Sequence, residues 1–259
     1  MSTVIYPSPI FGPVHSRRLG VSLGINLMPA DGKICTFDCI YCECGFNADH
    51  RPRLHRPTRE EVREKLEQQL VKMVGEGRLP DVLTFAGNGE PTAHPDFKAI
   101  IEDTIQLRNR HCPEARVSVL SNATLAAKPS VREALLMVDN NILKLDTVNA
   151  EYIRRVNAPM GHYDVGEVVE ALKSYHGHVI IQTMFMKGRD MYGVSVDNTG
   201  EEYVGPWIEA VKAIAPQSVM VYTIDRETPD QALLKATHEE LDAIVARVKA
   251  CGIPASASY

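Results

Sequence analysis

Short runs of β-branched and apolar residues alternate along the chain with longer segments in which apolar residues recur at helical spacing. The short runs predict six strands, at 20–27, 81–86, 116–121, 141–146, 178–186 and 218–224. The longer segments predict helices, four of which cover 94–107, 130–138, 165–175 and 201–215. Strands that alternate with helices indicate a parallel sheet with right-handed crossovers.

Two further helices carry a start signal. Thr58 with Glu61, and Thr237 with Glu240, each have the spacing of a capping box, in which a hydroxyl and a carboxylate satisfy the first free N–H groups of a helix. After each box the apolar residues fall on one helical face. Both helices are therefore expected to pack against the sheet.

Six strand and helix units are too few to close an eight-unit barrel, so the pattern leaves a partial barrel or an open doubly wound sheet. The 259 residues, 44% of them hydrophobic, suffice for one full core, and no repeat or low-complexity stretch divides them. We expect a single α/β domain over 1–259, with an N-terminal loop at 1–19, the barrel at 20–251 and a short tail at 252–259.

Charge and hydropathy narrow the class of partner. The formal net charge is −5, from 28 basic and 33 acidic residues, so no strong overall field favours a polyanion such as tRNA. The first residues lack a basic region followed by an apolar run, and no apolar stretch reaches the roughly eighteen residues that a membrane helix needs. We expect a soluble, cytoplasmic protein with no membrane partner.

The cysteines are unevenly distributed. Four of the six crowd into residues 35–44, while Cys112 and Cys251 stand alone. Such crowding suits a metal site in a reducing compartment, because a disulfide framework spreads its cysteines along a small secreted chain.

Three of these cysteines form the segment Cys35-Thr-Phe-Asp-Cys39-Ile-Tyr-Cys42, which places three thiolates within eight residues. One cuboidal 4Fe–4S cluster can bind all three and keep an iron open for a small molecule. Two alternatives use Cys44 as a fourth ligand: a compact zinc site, or an ordinary electron-transfer cluster. The role of Cys44 stays open at this point.

Glycines and polar residues also end or follow the later strands, at the edge where α/β proteins bind ligands. They are Gly87, Asn88, Gly89 and Glu90 after the second strand, Asn122 after the third, Lys144 and Asp146 on the fourth, Gln182 on the fifth and Tyr222 on the sixth. Each of them also fits a structural role, as a turn, an ion pair or a core hydrogen bond.

The CxxxCxxC spacing, with Tyr41 directly before the third cysteine, resembles the signature of the radical S-adenosylmethionine (SAM) superfamily. Gly89-Glu90-Pro91 resembles the GGEP motif of that family, although Asn88 departs from its simplest form. The resemblance implies a partial (β/α)6 TIM-like barrel in which Cys35, Cys39 and Cys42 hold a 4Fe–4S cluster. SAM would bind the open iron and contact Tyr41 and the strand-end residues.

The resemblance further implies that the reduced cluster cleaves SAM to methionine and a 5′-deoxyadenosyl radical, which abstracts hydrogen from a small-molecule or nucleoside substrate. A flavodoxin- or ferredoxin-type partner would supply the electron. No catalytic residue is assigned beyond the cluster ligands, and the isolated Cys112 and Cys251 argue for a single cluster. The alternatives are a glycyl-radical-enzyme activase, a tRNA-modifying enzyme and a non-catalytic SAM-binding redox sensor.

One segment bears on the substrate. The run Gly-Pro-Val-His-Ser-Arg-Arg-Leu-Gly contains Arg17 and Arg18, and Arg226 follows the sixth strand. Together with the cysteine loop, these segments resemble a radical SAM subgroup related to wyosine-type tRNA-modifying enzymes. The three arginines would then bind a substrate phosphate or carboxylate, with surface ion pairs as the alternative.

Overall fold

The computed structural model of the protein describes residues 3–16 and 20–259. Its strands are β1 (Ile10–Ser16), β2 (Gly20–Ile25), β3 (Val82–Phe85), β4 (Arg116–Ser121), β5 (Asn140–Lys144), β6 (Ile180–Met184), β7 (Met186–Gly188), β8 (Ser218–Tyr222), β9 (Leu233–Lys235) and β10 (Ala255–Ser258). Its α-helices are α1 (Arg59–Gly75), α2 (Phe97–His111), α3 (Pro129–Met137), α4 (Ala150–Val156), α5 (Val165–Lys173), α6 (Glu201–Ile214) and α7 (His238–Ala250).

One sheet contains the strands in the order β1-β2-β3-β4-β5-β6-β8-β10, while β7 and β9 pair separately. All neighbours from β2 to β10 are parallel, and β1 is antiparallel to β2. The order never reverses, so the sheet is not doubly wound. Within the described residues β1 does not pair with β10, which confirms a partial, unclosed α/β barrel.

The six predicted strands are all present, with ends that differ by a few residues. Both capping boxes also form: the Thr58 hydroxyl accepts from the Glu61 N–H at 3.2 Å, and the Thr237 hydroxyl from the Glu240 N–H at 3.2 Å. The helix expected from residue 94 begins only at Phe97. His94 precedes a proline and is extended, because the proline ring disfavours helical backbone at the residue before it.

Both ends of the chain differ from the expected loop and tail. The N-terminal segment contains β1, and the tail contains β10, whose Ala257 pairs with Val221 of β8. The sequence Ala-Ser-Ala-Ser has little intrinsic preference for a strand. It adopts one because the edge of β8 supplies partners for its backbone. The short helix α4 was also not expected.

The two faces of the sheet differ in chemistry. The outward face is apolar and packs on the helices through residues such as Leu83, Val119 and Leu143. The inward face is mixed: Leu120, Ile142 and Met220 lie on it together with small and polar side chains, and the Ser22 hydroxyl, for example, donates to the Thr84 hydroxyl at 2.8 Å. Because side chains alternate along each strand, one face builds the core and the other surrounds a cavity.

Of the helices that the structure describes, none is both long and apolar enough to cross a membrane.

Candidate functional site

The cysteine loop follows β2 and is held by polar side chains of its own. The buried Lys33 donates through Nζ to the Gly45 carbonyl at 2.6 Å and to Oδ1 of Asp38 at 3.3 Å. Asn47 accepts at Oδ1 from the Cys35 N–H at 3.1 Å and donates through Nδ2 to the Phe37 carbonyl at 3.1 Å. These contacts hold the loop in its conformation.

The middle of the cysteine loop is hydrogen-bonded to the C-terminal end of α4. The Ile40 N–H donates to the Val156 carbonyl at 3.0 Å, and the Asp38 N–H donates to the Asn157 carbonyl at 2.9 Å. These bonds hold the middle of the cysteine loop against a segment more than a hundred residues later in the chain.

The four cysteines of the loop do not have equal acidity. Burial raises the pKa of Cys39 to about 11 and also raises the pKa of Cys35. At Cys42 a hydrogen bond from Cys44, together with the ammonium of Lys33, lowers the pKa to about 6 although burial opposes it. The same bond and burial raise the pKa of Cys44. The Cys44 thiol also lies 3.5 Å from the Gly87 carbonyl oxygen, so its single hydrogen has two acceptors within reach, this oxygen and the Cys42 sulfur.

The glycine loop after β3 lies directly beside the first cysteine. The Ile34 N–H donates to the Asn88 carbonyl at 3.0 Å, and the Glu90 N–H donates to the Ile34 carbonyl at 3.2 Å. Gly87 and Gly89 have φ values of +121° and +138°, a region that favours glycine. The expected closeness of the cysteine and glycine loops is therefore observed.

Glu90 and Asn122 form one network behind Cys35. Oε2 of Glu90 accepts from the Asn122 N–H at 2.7 Å, and Oε1 accepts from the Thr92 hydroxyl at 2.6 Å. The Asn122 amide nitrogen Nδ2 donates to Thr36 Oγ1 at 2.8 Å and lies 3.6 Å from the Cys35 sulfur. Burial raises the pKa of Glu90, although these hydrogen bonds oppose the shift.

Asn88 occupies a structural position. Its Oδ1 accepts from the Tyr6 N–H at 2.7 Å, while its Nδ2 donates to the Tyr6 and Pro29 carbonyls, each at 2.9 Å. The side chain is fully buried. These bonds attach the N-terminal segment to the glycine loop and use all the hydrogen-bonding groups of the Asn88 amide except one lone pair.

Lys144 and Asp146 share the inward face, as expected, and join a buried network at the other side of the cysteine loop. The Lys144 ammonium lies 2.7 Å from the Tyr222 hydroxyl and 3.5 Å from Oδ1 of Asp146. The Tyr41 hydroxyl donates to Asp146 through a short bond. Asn157 donates from Nδ2 to Oδ2 of Asp146 at 2.8 Å and lies 3.6 Å from the Cys39 sulfur.

A cavity of about 410 Å³ lies between this loop and the inward face of the sheet. Five of the predicted residues line it: Tyr41, Gly87, Gln182, Tyr222 and Arg226. The proposed cluster ligand Cys42 lines it too. The other predicted contacts, which are Asn88, Gly89, Glu90, Asn122, Lys144 and Asp146, do not line it. Arg17 and Arg18 lie outside the described residues.

Three side chains meet at the mouth of the cavity, and we call them the mouth cluster: Tyr6, Glu43 and Arg226. Arg226 donates to Oε2 of Glu43 at 2.6 Å and to the Tyr6 hydroxyl, and that hydroxyl donates to Oε1 of Glu43 at 2.9 Å. Among the described residues that line the cavity, Arg226 is the one arginine or lysine. The cluster joins the N-terminal segment, the cysteine loop and the loop after β8.

Sequence reasoning missed several of these residues. Lys33 and Asn47 had a local signal, since they flank the cysteine run, two residues before Cys35 and three residues after Cys44. Asn157 had none, because it lies 118 residues after Cys39.

The cysteine loop, the cavity and the open barrel can be compared with known proteins. The family model described as "Radical SAM superfamily" matches residues 31–191, more than half of the chain. The chain belongs to the radical SAM superfamily. Radical SAM proteins use a 4Fe–4S cluster and SAM, so the expectation of these two cofactors is confirmed.

Curated relatives agree in sequence over most of the chain. "UPF0026 protein MJ1312" of Methanocaldococcus jannaschii is 31% identical over 198 residues, which are 74% of this chain and 58% of that protein. "GTPase Obg" of Brachyspira hyodysenteriae is 29% identical over 238 residues, which are 90% of this chain and 32% of that protein. The chain thus spans less than two thirds of each of these relatives.

Solved structures of low identity share the fold. A radical SAM methyltransferase from Sphaerobacter thermophilus has a TM-score of 0.65 at 14% identity, covering 92% of this chain and 66% of that one. SuiB of Streptococcus suis bound to SAM has a TM-score of 0.65 at 13% identity, covering 91% and 50%.

The donor chemistry fits an iron–sulfur cluster. Soft thiol ligands suit iron–sulfur and zinc sites. In the described part of the chain, no three His, Cys, Asp or Glu side chains surround one point as a single metal ion requires. A cuboidal cluster instead places each thiolate on a separate iron, so the three sulfurs of Cys35, Cys39 and Cys42 need not surround one point.

Proposed function

We propose that this protein is an enzyme that cleaves SAM reductively at a single 4Fe–4S cluster and abstracts hydrogen from a small-molecule or nucleoside substrate. One observation carries the proposal. The proposed ligand Cys42 lines the same cavity of about 410 Å³ as the proposed SAM contacts Tyr41, Gly87, Gln182 and Tyr222.

Cys35, Cys39 and Cys42 are the proposed cluster ligands. When bound, the cluster passes one electron to SAM, which yields methionine and a 5′-deoxyadenosyl radical able to take hydrogen from a substrate. The work of the protein is to hold SAM, to orient it and to exclude water. Cys44 is proposed to stay protonated beside Cys42 rather than to act as a fourth ligand, with the Cys42 sulfur and the Gly87 carbonyl as the two acceptors within reach of its single hydrogen.

The proposed SAM contacts divide between the two buried networks. On the Cys35 side, the backbone of Gly87 and Gly89 and the groups of Glu90 and Asn122 shape the place for the methionine end. Asn88, also a predicted contact, would act there through its carbonyl and through the segment that it anchors.

On the Cys39 side, the proposed contacts are Tyr41, Lys144, Asp146, Gln182 and Tyr222, which shape the place for the ribose and adenine. Asp146 already accepts from Tyr41, Asn157 and the Met184 N–H, so its main role is to fix these donors. Lys144 on β5 and Gln182 on β6 lie side by side on adjacent strands, on the inward face of the sheet.

Leu120, Ile142 and Met220 line the inner part of the cavity and give it apolar walls. A dry wall around the reacting atoms strengthens polar contacts and protects a reactive radical from side reactions. The volume of about 410 Å³ falls within the range of roughly 300–1,000 Å³ that is usual for small-ligand pockets. A cavity of this size suits SAM, its proposed occupant.

Arg226 is proposed as a substrate contact for a phosphate or carboxylate, together with Arg17 and Arg18. Its partner Glu43 has 40% of its side chain exposed and Arg226 itself has 54% exposed. An ion pair this exposed contributes only about 0–1 kcal/mol, so an anionic substrate can displace Glu43 at little cost. A guanidinium can donate two parallel hydrogen bonds to a carboxylate or a phosphate.

The likeness to wyosine-type enzymes stays a prediction, as does tRNA as a partner. If these arginines bind RNA, affinity should fall steeply as salt rises, and Arg17→Ala should reduce that slope. A reductant of flavodoxin or ferredoxin type is proposed because the reaction needs an electron. A cytoplasmic location is proposed because the thiols must stay reduced.

The test is anaerobic reconstitution with iron and sulfide, followed by dithionite and SAM and by measurement of 5′-deoxyadenosine. We expect product from the wild type and loss of both iron and product in Cys35→Ala, Cys39→Ala and Cys42→Ala. Cys251→Ala is the matched control, because Cys251 is exposed at the end of α7, and it should retain both. Cys44→Ala should retain the cluster.

Other outcomes would point elsewhere. A cluster that binds SAM without yielding 5′-deoxyadenosine would overturn the proposal and favour a redox sensor. Hydrogen abstraction only from a partner protein would favour a glycyl-radical-enzyme activase. Four cysteines needed for iron binding, Cys44 included, would favour an ordinary electron-transfer cluster.

A further inference from the structure

Two of the three proposed ligand sulfurs have a side-chain amide directed at them. Nδ2 of Asn122 lies 3.6 Å from the sulfur of Cys35, and Nδ2 of Asn157 lies 3.6 Å from the sulfur of Cys39. The two asparagines come from different parts of the barrel, the first after β4 and the second after α4. Both are almost fully buried, with 7% and 2% of their surface exposed.

Each amide is held in this orientation by other bonds. Asn122 accepts at Oδ1 from the N–H of Thr124 at 3.0 Å and from its hydroxyl at 2.8 Å, which turns Nδ2 toward the cysteine loop. There Nδ2 has two acceptors for its two hydrogens, Thr36 Oγ1 at 2.8 Å and the Cys35 sulfur at 3.6 Å. The backbone N–H of Asn122 is fixed by Glu90 at 2.7 Å. Because both ends of the side chain are defined, the amide cannot turn away from Cys35 without losing these bonds.

Asn157 is held by the network on the opposite side. Its Nδ2 lies 2.8 Å from Oδ2 of Asp146 and 2.9 Å from the Tyr41 hydroxyl, and its own carbonyl accepts from the Asp38 N–H. An amide group has two hydrogens, so one can serve the Asp146 and Tyr41 oxygens while the other faces sulfur.

The protonation state of the cysteine decides the direction of the bond at Cys39. As a thiol, Cys39 also contacts the Asn157 carbonyl oxygen at 3.7 Å, where sulfur is the donor. A thiolate that binds iron has no hydrogen to donate. The Nδ2–H of Asn157 is then the side-chain donor that remains beside the sulfur.

Hydrogen bonds to cluster sulfurs change the reduction potential, because the reduced cluster carries one more negative charge than the oxidised one. A fixed donor stabilises the more negative state more strongly, and it does so with greater effect in a buried site. Removing such a donor therefore makes the cluster harder to reduce.

We propose that Asn122 and Asn157 are positioning residues that donate to the sulfurs of Cys35 and Cys39 and thereby raise the reduction potential of the cluster. The inference rests on the proposed function, in that these two cysteines hold the cluster. It goes further, because it assigns a role in the reduction of the cluster to two residues that contact neither the hydrogen-donating substrate nor the open iron.

The test is a potentiometric titration of the reconstituted protein, without SAM, followed by electron paramagnetic resonance of the reduced cluster. We expect Asn122→Ala and Asn157→Ala each to shift the midpoint to more negative potential. At the wild-type midpoint, the ratio of reduced to oxidised cluster should fall roughly three- to tenfold, where tenfold corresponds to about 59 mV for a one-electron couple.

Asn140→Ala is the matched control. Asn140 is also buried, but its Nδ2 donates to the Ser118 hydroxyl at 2.8 Å, at the opposite end of the strands. Its variant should leave the midpoint unchanged, so a shift common to all three variants would indicate general loosening and overturn the inference.

The outcomes separate the inference from the proposed function. Wild-type protein that assembles no cluster would contradict the proposed function. A wild-type cluster with normal iron content, whose midpoint is the same in Asn122→Ala and Asn157→Ala, would overturn the inference alone. If one variant fails to assemble a cluster, the other still decides, because the two asparagines act on different sulfurs.

Discussion

Gly89 and Ile34 touch backbone to backbone: a Cβ added to Gly89 would lie 1.8 Å from the carbonyl oxygen of Ile34. Ile34 immediately precedes Cys35, so this contact sets the distance between the glycine loop and the first cysteine. The glycine is required here for two reasons, its φ of +138° and the absence of a side chain.

Gly89→Ala should therefore separate the two loops. The Cβ cannot be accommodated by a flexible side chain, since the atoms that it meets are backbone. We expect a loss of about 2–4 kcal/mol in the free energy of unfolding, from strain at positive φ and from broken backbone pairing. Urea unfolding under anaerobic conditions measures this, and bound iron per chain should fall in parallel.

Gly161→Ala provides the control for that substitution. A Cβ at Gly161 meets nothing within 4 Å, and the backbone there is not in the left-handed region. Its stability should stay within about 0.5 kcal/mol of the wild type, as for most surface changes. Equal stability of the two variants would refute the role given to the contact between Gly89 and Ile34.

Asn88→Ala should loosen the N-terminal segment. The substitution removes the acceptor of the Tyr6 N–H and the donor to the Tyr6 and Pro29 carbonyls. Leaving such buried groups unpaired costs about 1–3 kcal/mol. Hydrogen exchange at the Tyr6 amide should become faster, while exchange in α7, far from this contact, should follow only the global loss of stability.

The same variant separates two roles for Asn88. If it keeps wild-type stability and Tyr6 protection but binds SAM poorly, then the side chain acts as a direct SAM contact. If the side chain instead anchors the N-terminal segment, the variant should lose stability and Tyr6 protection, and any loss of SAM binding should follow from that.

Local patterns explain what could be predicted from the sequence. The strands were recognisable because their apolar runs are short and bounded, and the capping boxes because their partners are three residues apart. The cysteine spacing is also local, and so is the alternation that places Lys144 and Asp146 on one face. Each of these depends on residues close together in the chain.

Contacts between distant residues explain what was missed. Asn157 approaches Cys39 only when α4 packs beneath the cysteine loop, and Arg226 meets Tyr6 across 220 positions. The strand β10 forms because β8 has a free edge, which no property of Ala-Ser-Ala-Ser reveals. The side chain of Asn88 binds the N-terminal segment, a contact that its place in a glycine motif does not reveal, and its role as a SAM contact stays a prediction.

Lys144 and Asp146 should be strongly coupled in stability. The Asp146 side chain is 2% exposed and that of Lys144 is 14% exposed, so removing either leaves a largely desolvated charge with less compensation. In a double-mutant cycle with Lys144→Met and Asp146→Asn, the double variant should lose less than the sum of the single variants. We expect an interaction energy of about 0.5–3 kcal/mol, measured by urea unfolding.

The exposed pair Lys98 and Glu133 gives the comparison, at 2.6 Å but with 40% and 56% of the side chains exposed. Exposed pairs couple by about 0.2–1 kcal/mol. A coupling at Lys144 and Asp146 no larger than at this surface pair would show that the two charges do not depend on each other.

Asp103 should contribute an acid-sensitive part of the stability. Its carboxylate accepts from Arg59 at 2.7 and 2.9 Å and from Arg63 at 2.7 Å, and these hydrogen bonds and charges, that from Arg59 foremost, lower the pKa of Asp103. A carboxyl with a lowered pKa stabilises the folded state above its unfolded pKa of about 3.9, and that contribution is lost as the pH falls through the folded pKa.

Asp103→Asn should cost about 1–3 kcal/mol at pH 7, as for hydrogen bonds to charged groups. The difference from wild type should persist down to about pH 4 and shrink below it, because protonation then removes the same charge from the wild type. Urea unfolding of both proteins, from about pH 7 to below about pH 4, measures this difference in the free energy of unfolding. Effects of acid on the rest of the molecule are common to both proteins and cancel. A difference that is independent of pH below about 4 would mean that packing of the side chain, and not its charge, links α1 to α2.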